Sequence, residues 1–557
     1  MAQEHHLDAL VVGAGFGGIY TLYSLVKEGL NVKAIDTAGD VGGTWYWNRY
    51  PGALSDTWSH LYRFLFDQEF LQTYPWKRWY LTQPEIMQYL RDVVERYHLR
   101  KHMQFNTKMQ RAEWNDETKI WEVQCETGDV FHVRYLFTAL GLLVKANYPD
   151  IPGMDTFKGE MNHTSAWNPD VELENKRVGV IGVGSSGVQV VTAIADKVKS
   201  LHVFVRRPQY TVPSGNRDVT PKERALVNKN YPALIADART SVFAMGTPEP
   251  KRTFMSLSPE DREELLEQQW NIGNGFQFMF GGFSDIATNE VANEEVCRFL
   301  RKKIASIVKD PQKRDVLTPK ELYGRRPLCD AGFYEIFNKE NVFAVDIKKS
   351  PITEVTPSGI CTADGTTHEL DVIIFATGFD AVDGTYAMVD IRGRDGKNLY
   401  DMWKPSGPST YVGMSVHGFP NLLLVNGPHM AFANIPTSGE TNTEFIMDLV
   451  RRAEKISKQT GRQCEIEALE EAERAWTARS RSSIAGTMFE KVPSWILGNN
   501  VTGKAEGVAF YFGGLGTFRA YLAEIKANGF EGFKSPLGRR MEVQRALHTF
   551  KGICYGE

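Results

Sequence analysis

A glycine pattern that occurs twice constrains this chain more than any other feature. DALVVGAGFGG (Asp8 to Gly18) reads as a short apolar strand running into Gly13-x-Gly15-x-x-Gly18, with Ile19, Leu22, Leu25 and Val26 at helical spacing behind it. KRVGVIGVGSSG repeats the arrangement as Gly182-x-Gly184-x-x-Gly187, followed by Val188, Val191 and Ala195. Each unit supplies what a dinucleotide needs: a tight turn, room for the backbone to approach a pyrophosphate, and a helix N-terminus whose free N–H groups and dipole favour negative charge. One such match is weak evidence. Two, each between a strand and a helix, predict two bound dinucleotides and an α/β fold with two Rossmann-like domains.

The residues beyond each unit separate the two ligands. The second strand of the first unit, NVKAID, ends at Asp36, where an acid accepts ribose hydroxyls, which suits FAD. Its counterpart, SLHVFVRR, ends at Arg206 and Arg207, a cationic pair suited to the 2′-phosphate of NADP. Related strands, YLFTALG and DVIIFATG, close the two units. The expected division is an FAD domain at 1–145 and 385–557, an NADP domain at 146–215 and 330–384, and a helical insertion at 216–329. In that insertion Ser258 caps PEDREELLEQQW, and Val296, Phe299, Leu300, Ile304 and Ile307 recur at helical spacing. Its plainest role is to cover the NADP domain.

At 557 residues the chain is too long for one hydrophobic core, which agrees with several domains. A net charge of −4 gives no electrostatic reason to expect nucleic acid or an anionic membrane, and no run of 18 or more apolar residues occurs. The six cysteines (Cys125, Cys297, Cys329, Cys361, Cys464, Cys554) form no C-x-x-C pair and no zinc spacing. We expect a cytoplasmic protein, a monomer or weak oligomer, without a metal.

Two dinucleotide sites without a dithiol or metal set leave O2 as the natural acceptor of electrons from NADPH and flavin, so the chain reads as a monooxygenase. A resemblance then becomes specific. Phe157-Lys-Gly159-Glu-Met-Asn-His163-Thr-Ser-Ala-Trp167-Asn resembles the fingerprint F-x-G-x-x-x-H-x-x-x-W of Baeyer–Villiger monooxygenases, departing only at its last position, Asn168. GGTWYWNRYPGALSDT, TALGLL, RRPLCDAGFYEIFN, ATGFDAVDG and SWILGNNVTGK extend the likeness nearly end to end, and within the family the chain looks most like the cyclohexanone monooxygenase group.

The resemblance implies conversion of ketones to esters or lactones through a flavin C4a-peroxide held as an anion by a fixed cation, Arg326, which Asp56 orients. It implies FAD contacts from Gly13, Gly15, Phe16, Gly18, Asp36, Gly43, Thr44, Trp45, Asn48, Asp56, Tyr62, Met109 and Ile435. For NADP it implies Gly182, Gly184, Ser185, Ser186, Gln189, Arg206, Arg207, Arg325, Arg326 and the control-loop Trp495. The expected pocket walls are Leu142, Leu143, Phe243, Phe276, Phe278, Phe432, Ile435, Trp495 and Phe510, for a small apolar ketone. The fingerprint residues Phe157, Gly159, His163 and Trp167 are expected in the connection between domains, with His163 a conformational or linker residue rather than an acid or base.

A flavin-containing monooxygenase acting on nitrogen or sulfur is the alternative enzyme, and a redox-silent NADPH-binding regulator the alternative class. The missing C-x-x-C argues against a disulfide reductase. Arg206 and Arg207 should favour NADPH over NADH, each well-formed charge-assisted contact contributing about 1.5–3 kcal/mol. We expect kcat/KM for NADPH to exceed that for NADH by orders of magnitude; equal values would contradict the assignment.

Overall fold

The computed structural model describes residues 3–538; Cys554 lies outside the described residues. Both glycine units form as strand, turn and helix. In the first, Glu4–Val12 leads into Phe16–Lys27 and then Val32–Ile35; in the second, Arg177–Ile181 leads into Ser185–Ile194 and then Ser200–Val205. The first unit sits in an eight-stranded sheet. Glu4–Val12 pairs in parallel with Val32–Ile35 on one side and with Val130–Thr138 on the other. An antiparallel flap, Met109–Asn115 and Ile120–Cys125, extends this sheet. The late strands Asp390–Arg392 and Leu422–Leu424 also belong to it, so chain from both ends of the sequence builds the one sheet.

The second unit forms a five-stranded, all-parallel sheet in the order Val342–Asp346, Ser200–Val205, Arg177–Ile181, Val372–Phe375, Glu160–His163. Val372–Phe375 is buried along its whole length, as a parallel strand covered on both faces requires, which is why DVIIF is apolar without alternation. The edge strand Glu160–His163 carries the fingerprint histidine. The fingerprint is therefore part of the second sheet and not a connection between domains, because its backbone pairs in parallel with Val372–Phe375.

Residues 216–329 carry the helices Pro221–Thr240, Pro259–Ile272, Gly275–Phe280, Glu290–Ile307 and Pro311–Leu317. Thr220 forms a capping box with Glu223 before Pro221–Thr240, Ser258 accepts from Asp261 N–H before Pro259–Ile272, and Asn289 caps Glu290–Ile307. The insertion does not serve the second unit alone. Tyr231, Ile235 and Ala238 of its first helix join the core of the first unit, whereas Phe254, Phe278, Phe299 and Ile304 join that of the second. The long helix Ile435–Thr460 packs against Phe16–Lys27 and ends at Gly461 in the left-handed region.

The glycines of each turn have distinct duties. Gly13 and Gly182 sit at φ +113° and +106°, and a Cβ at Gly182 would lie 2.5 Å from the Ala376 carbonyl. A Cβ at Gly184 would approach no atom closer than 4.0 Å, and its extended backbone (φ −79°, ψ −168°) accepts any residue. Gly182→Ala should therefore lower ligand-free stability by about 1–3 kcal/mol, while Gly184→Ala should leave ligand-free Tm unchanged and weaken dinucleotide binding. Thermal unfolding with and without NADP+ checks both; a destabilised Gly184→Ala apoprotein would contradict the open cradle.

Candidate functional site

The two glycine loops are built to receive dinucleotides. Both helices start directly after a glycine, Gly15 or Gly184, with no side chain capping the N-terminus and no acid in the first turn, so their N–H groups remain available to phosphate oxygens. Open space beside Gly184, and a nearest atom 3.4 Å from a Cβ on Gly15, leave the backbone approachable. Gly18 and Gly187 face the carbonyls of Gly13 and Gly182, which explains the third glycine of each motif. Asp36 follows its strand as expected; its carboxylate accepts from the N–H groups of Ala14 at 2.6 Å and Ala38 at 2.8 Å, which fixes it beside the first loop. Met109 begins the flap two residues after Thr107, whose N–H donates to the Asp36 carbonyl at 2.9 Å; its side chain is buried in a separate core layer.

Gly43 closes on the first loop, where a Cβ would come within 2.9 Å of the Gly15 Cα, and it opens the short helix Thr44–Trp47. Trp45 Nε1 donates to the Tyr62 hydroxyl at 3.0 Å, and Tyr62 meets the Phe16 ring edge-on at 5.3 Å. Asn48 is buried and donates to the Thr44 carbonyl at 2.9 Å. Ile435 begins the long helix just after Asn434, which donates its side-chain amide to the Leu61 carbonyl at 2.9 Å.

Arg326 and Asp56 meet across the seam between the units. Nη1 lies 2.7 Å from Oδ2 and Nη2 donates to Oδ1 at 2.9 Å, a two-pronged pair that fixes the guanidinium plane. Burial opposes the charge on Arg326, but the Asp56 carboxylate outweighs it and holds the guanidinium above its ordinary range. Nη1 also approaches the Ser185 hydroxyl at 3.4 Å, at the start of the second unit's helix, and the guanidinium lies over the Phe276 ring at 5.2 Å. A cavity of about 110 Å³ adjoins the pair, lined in part by Asp56, Tyr80, Gln189 and Cys329.

Two residues that tie this seam together, Tyr50 and Asn274, were not singled out in the sequence. Tyr50 donates its hydroxyl to Gln189 at 2.8 Å, and Gln189 donates to the Leu54 carbonyl at 3.0 Å, joining the second unit's helix to the Asp56 loop. Asn274 donates to the Asp56 carbonyl at 2.8 Å and to the Tyr80 hydroxyl at 3.0 Å, while its Oδ1 caps the helix Gly275–Phe280 that carries Phe276. The asparagine before a glycine in NIGNGFQF was the available signal, an N-cap.

Arg206 and Arg207 are exposed just beyond their strand. Arg325 is mostly buried, paired with Glu321, and donates Nε to the Pro493 carbonyl at 3.0 Å; burial, with Arg207 and Arg206 nearby, lowers its pKa despite Glu321. Arg206, Arg207 and Arg325 thus bring three cations close together, of which Arg325 alone is paired with a carboxylate. Ser186 follows Ser185 in the first turn of the same helix. The stretch containing Trp495 is tied to residues 379–383. Lys504 is bound to Asp380 at 2.7 Å and Asp383 at 2.5 Å, and Asn500 donates to the Phe379 carbonyl at 2.8 Å.

Eight of the expected pocket residues belong to one extended apolar cluster, Phe243, Phe276, Phe432 and Phe510 with Leu142, Leu143, Ile435 and Trp495, and Phe243 meets both Phe276 and Phe432. Phe432 meets Phe510 at 5.3 Å, and Trp495 meets Phe510 at 5.8 Å. Phe278 belongs to the same extended core but faces the other way. It is fully buried and packs on Trp270, Phe299 and Tyr323, because alternate sides of its short helix face the seam and the insertion.

Of the fingerprint, Phe157 shields Gly159, where a Cβ would come 2.7 Å from its ring, and Trp167 is buried. The turn Thr164–Ala166 touches Thr44–Trp47, so the motif braces the first unit's cofactor-side helix. His163 Nδ1 accepts from Ser165 N–H at 3.1 Å, and burial lowers its pKa to about 4, which leaves it neutral near pH 7. Among the described residues, one trio that could hold a metal ion, Glu4, His6 and His132, lies at the other end of the first unit's strand from Gly13.

Two dinucleotide cradles facing a shared, carboxylate-fixed guanidinium define a flavin- and pyridine-nucleotide-dependent oxidoreductase, and a flavin-binding monooxygenase-like family model matches residues 8–238. A Baeyer–Villiger monooxygenase of Pseudooceanicola batsensis is 46% identical over 94% of this chain and 95% of its own. A phenazine N-monooxygenase of Lysobacter antibioticus is 45% identical over 95% and 97%. The structure of cyclohexanone monooxygenase from Rhodococcus sp. Phi1 bound to NADP+ superposes with a TM-score of 0.93 at 48% identity, covering 96% of this chain and 99% of that one. The chain belongs to the Baeyer–Villiger monooxygenases. No helix among the described residues is long and apolar enough to cross a membrane.

Proposed function

We propose that this enzyme converts a compact, apolar, preferably cyclic ketone to its ester or lactone, consuming one NADPH, one proton and one O2 and releasing NADP+ and water. The observation that carries the reading is the Arg326–Asp56 pair beside the aromatic cluster of Phe243, Phe276, Phe432 and Phe510. FAD bound at the first cradle and reduced by NADPH would supply the activated oxygen. Gly13, Gly15, Gly18 and Asp36 would hold FAD; Gly182, Gly184, Ser185, Arg206, Arg207 and Arg325 would hold NADP.

The chain's own contribution is electrostatic and steric. Arg326 provides a cation fixed before the reaction begins, and a preorganised charge in a partly buried site stabilises developing negative charge without reorganisation. Asp56 aims that cation. The apolar walls exclude water and reward burial of a ring at about 25 cal/mol per Å², while the site offers the ketone oxygen few polar partners besides Arg326. A cytoplasmic setting, with NADPH at hand and the five described cysteines as free thiols, fits this reading.

Oxygenation of a flat heteroaromatic nitrogen is a second reading, favoured by the likeness to the Lysobacter enzyme and by the aromatic walls. Incubation under labelled O2 with a panel of cyclic and linear ketones, and with phenazine, separates the two. We expect one labelled oxygen in the lactone, with NADPH consumed one-to-one. NADPH oxidised only to hydrogen peroxide across the ketones, or label appearing only in an N-oxide, would overturn the ketone assignment.

A further inference from the structure

Arg63 is fully buried in the core of the first unit, next in sequence to the cofactor-side Tyr62 but turned away from it. Its Nε donates to the Ser59 carbonyl at 2.7 Å, and its guanidinium rests on the rings of Tyr74 and Tyr89 at 5.7 and 5.4 Å. Nη1 and Nη2 are buried and have no hydrogen-bond partner. A second cation stands close by. Arg224, on the insertion's first helix, donates Nη2 to the carbonyls of Leu71, Gln72 and Tyr74 and lies 4.6 Å over the Trp76 ring, leaving Nη1 buried and unpaired.

Three more polar atoms there are buried and unpaired: Trp76 Nε1, the Tyr231 hydroxyl and His60 Nδ1. The His60 ring lies 5.9 Å from Trp76, and burial, together with the charges of Arg63 and Arg224, lowers its pKa to about 3. The same two charges bear on the Tyr231 phenol. The guanidinium and indole N–H groups can only donate, whereas the Tyr231 hydroxyl and His60 Nδ1 can donate or accept and Asn228 Oδ1 accepts. Every hydrogen bond from either arginine ends on a backbone carbonyl, and neither cation is directly paired with a carboxylate.

An uncompensated buried cation costs several kcal/mol, and leaving its donors unmade adds to that cost. Water would satisfy donors but not charge. We infer that Arg63, Arg224, Tyr231, Trp76 and His60 bind a small monovalent anion, a halide such as chloride, which pins the helix Pro221–Thr240 to the 58–76 segment. A halide fits better than phosphate because the walls are indole and phenol faces, where a doubly charged, strongly hydrated oxyanion carries a much larger desolvation penalty.

The test is thermal unfolding of the holoenzyme in sodium chloride and in sodium gluconate at equal ionic strength. Chloride should raise Tm by several degrees, rising with the logarithm of its concentration above the dissociation constant, and Arg63→Met should abolish the difference. Equal Tm values for the wild type in both salts, or an undiminished chloride effect in Arg63→Met, would overturn the inference. Should Arg63→Met fail to fold, wild-type crystals grown in bromide decide: an anomalous peak within hydrogen-bonding reach of the Arg63 Nη atoms supports the site, and water or phosphate there excludes it.

Discussion

One ion pair ties distant parts of this protein together beside the two glycine loops. Asp56 and Arg326 are 270 residues apart, one in the first unit and the other at the end of the insertion, yet both Nη nitrogens of the guanidinium engage the carboxylate. A guanidinium held by one prong could swing; held by two, its plane is set. The pair depends on supports from three directions. Asn274 grips the Asp56 backbone, Gln189 grips the loop through Leu54, and Phe276 lies beneath the cation. Packing around the seam is thus a condition for the geometry of the charge.

The cradles on either side follow from backbone geometry rather than from side-chain chemistry. Only glycine tolerates φ +113° and +106° at Gly13 and Gly182, and only a missing Cβ lets each helix settle on the loop before it. These constraints are local, and they were therefore legible in the sequence, as were Asp36 and the arginines ending the second strand. The cap at Ser258 was legible for the same reason, whereas those at Thr220 and Asn289 were not read.

What escaped the sequence was set by tertiary contact. The fingerprint was expected in a connection, but a four-residue strand is too short to show a period, and pairing with Val372–Phe375 makes it one. Phe278 and Phe276 have the same chemistry two residues apart, and only the packing of the insertion decides that one faces Phe299 and the other Arg326. Arg63 gave no signal, since a single arginine in LYRFLF reads as a surface residue until the core closes around it. The first helix of the insertion, expected over the second unit, covers the first because Tyr231 and Ile235 find their partners there.

The central claim is that Asp56 acts through Arg326 and not independently of it. A double-mutant cycle on ketone oxygenation, with Arg326→Ala, Asp56→Asn and the double variant each retaining bound FAD, measures this directly. If Asp56 serves to aim Arg326, each single variant loses most oxygenation and the double variant is no worse than Arg326→Ala alone. Losses that multiply across the double variant, or wild-type oxygenation by Arg326→Ala, would contradict the account.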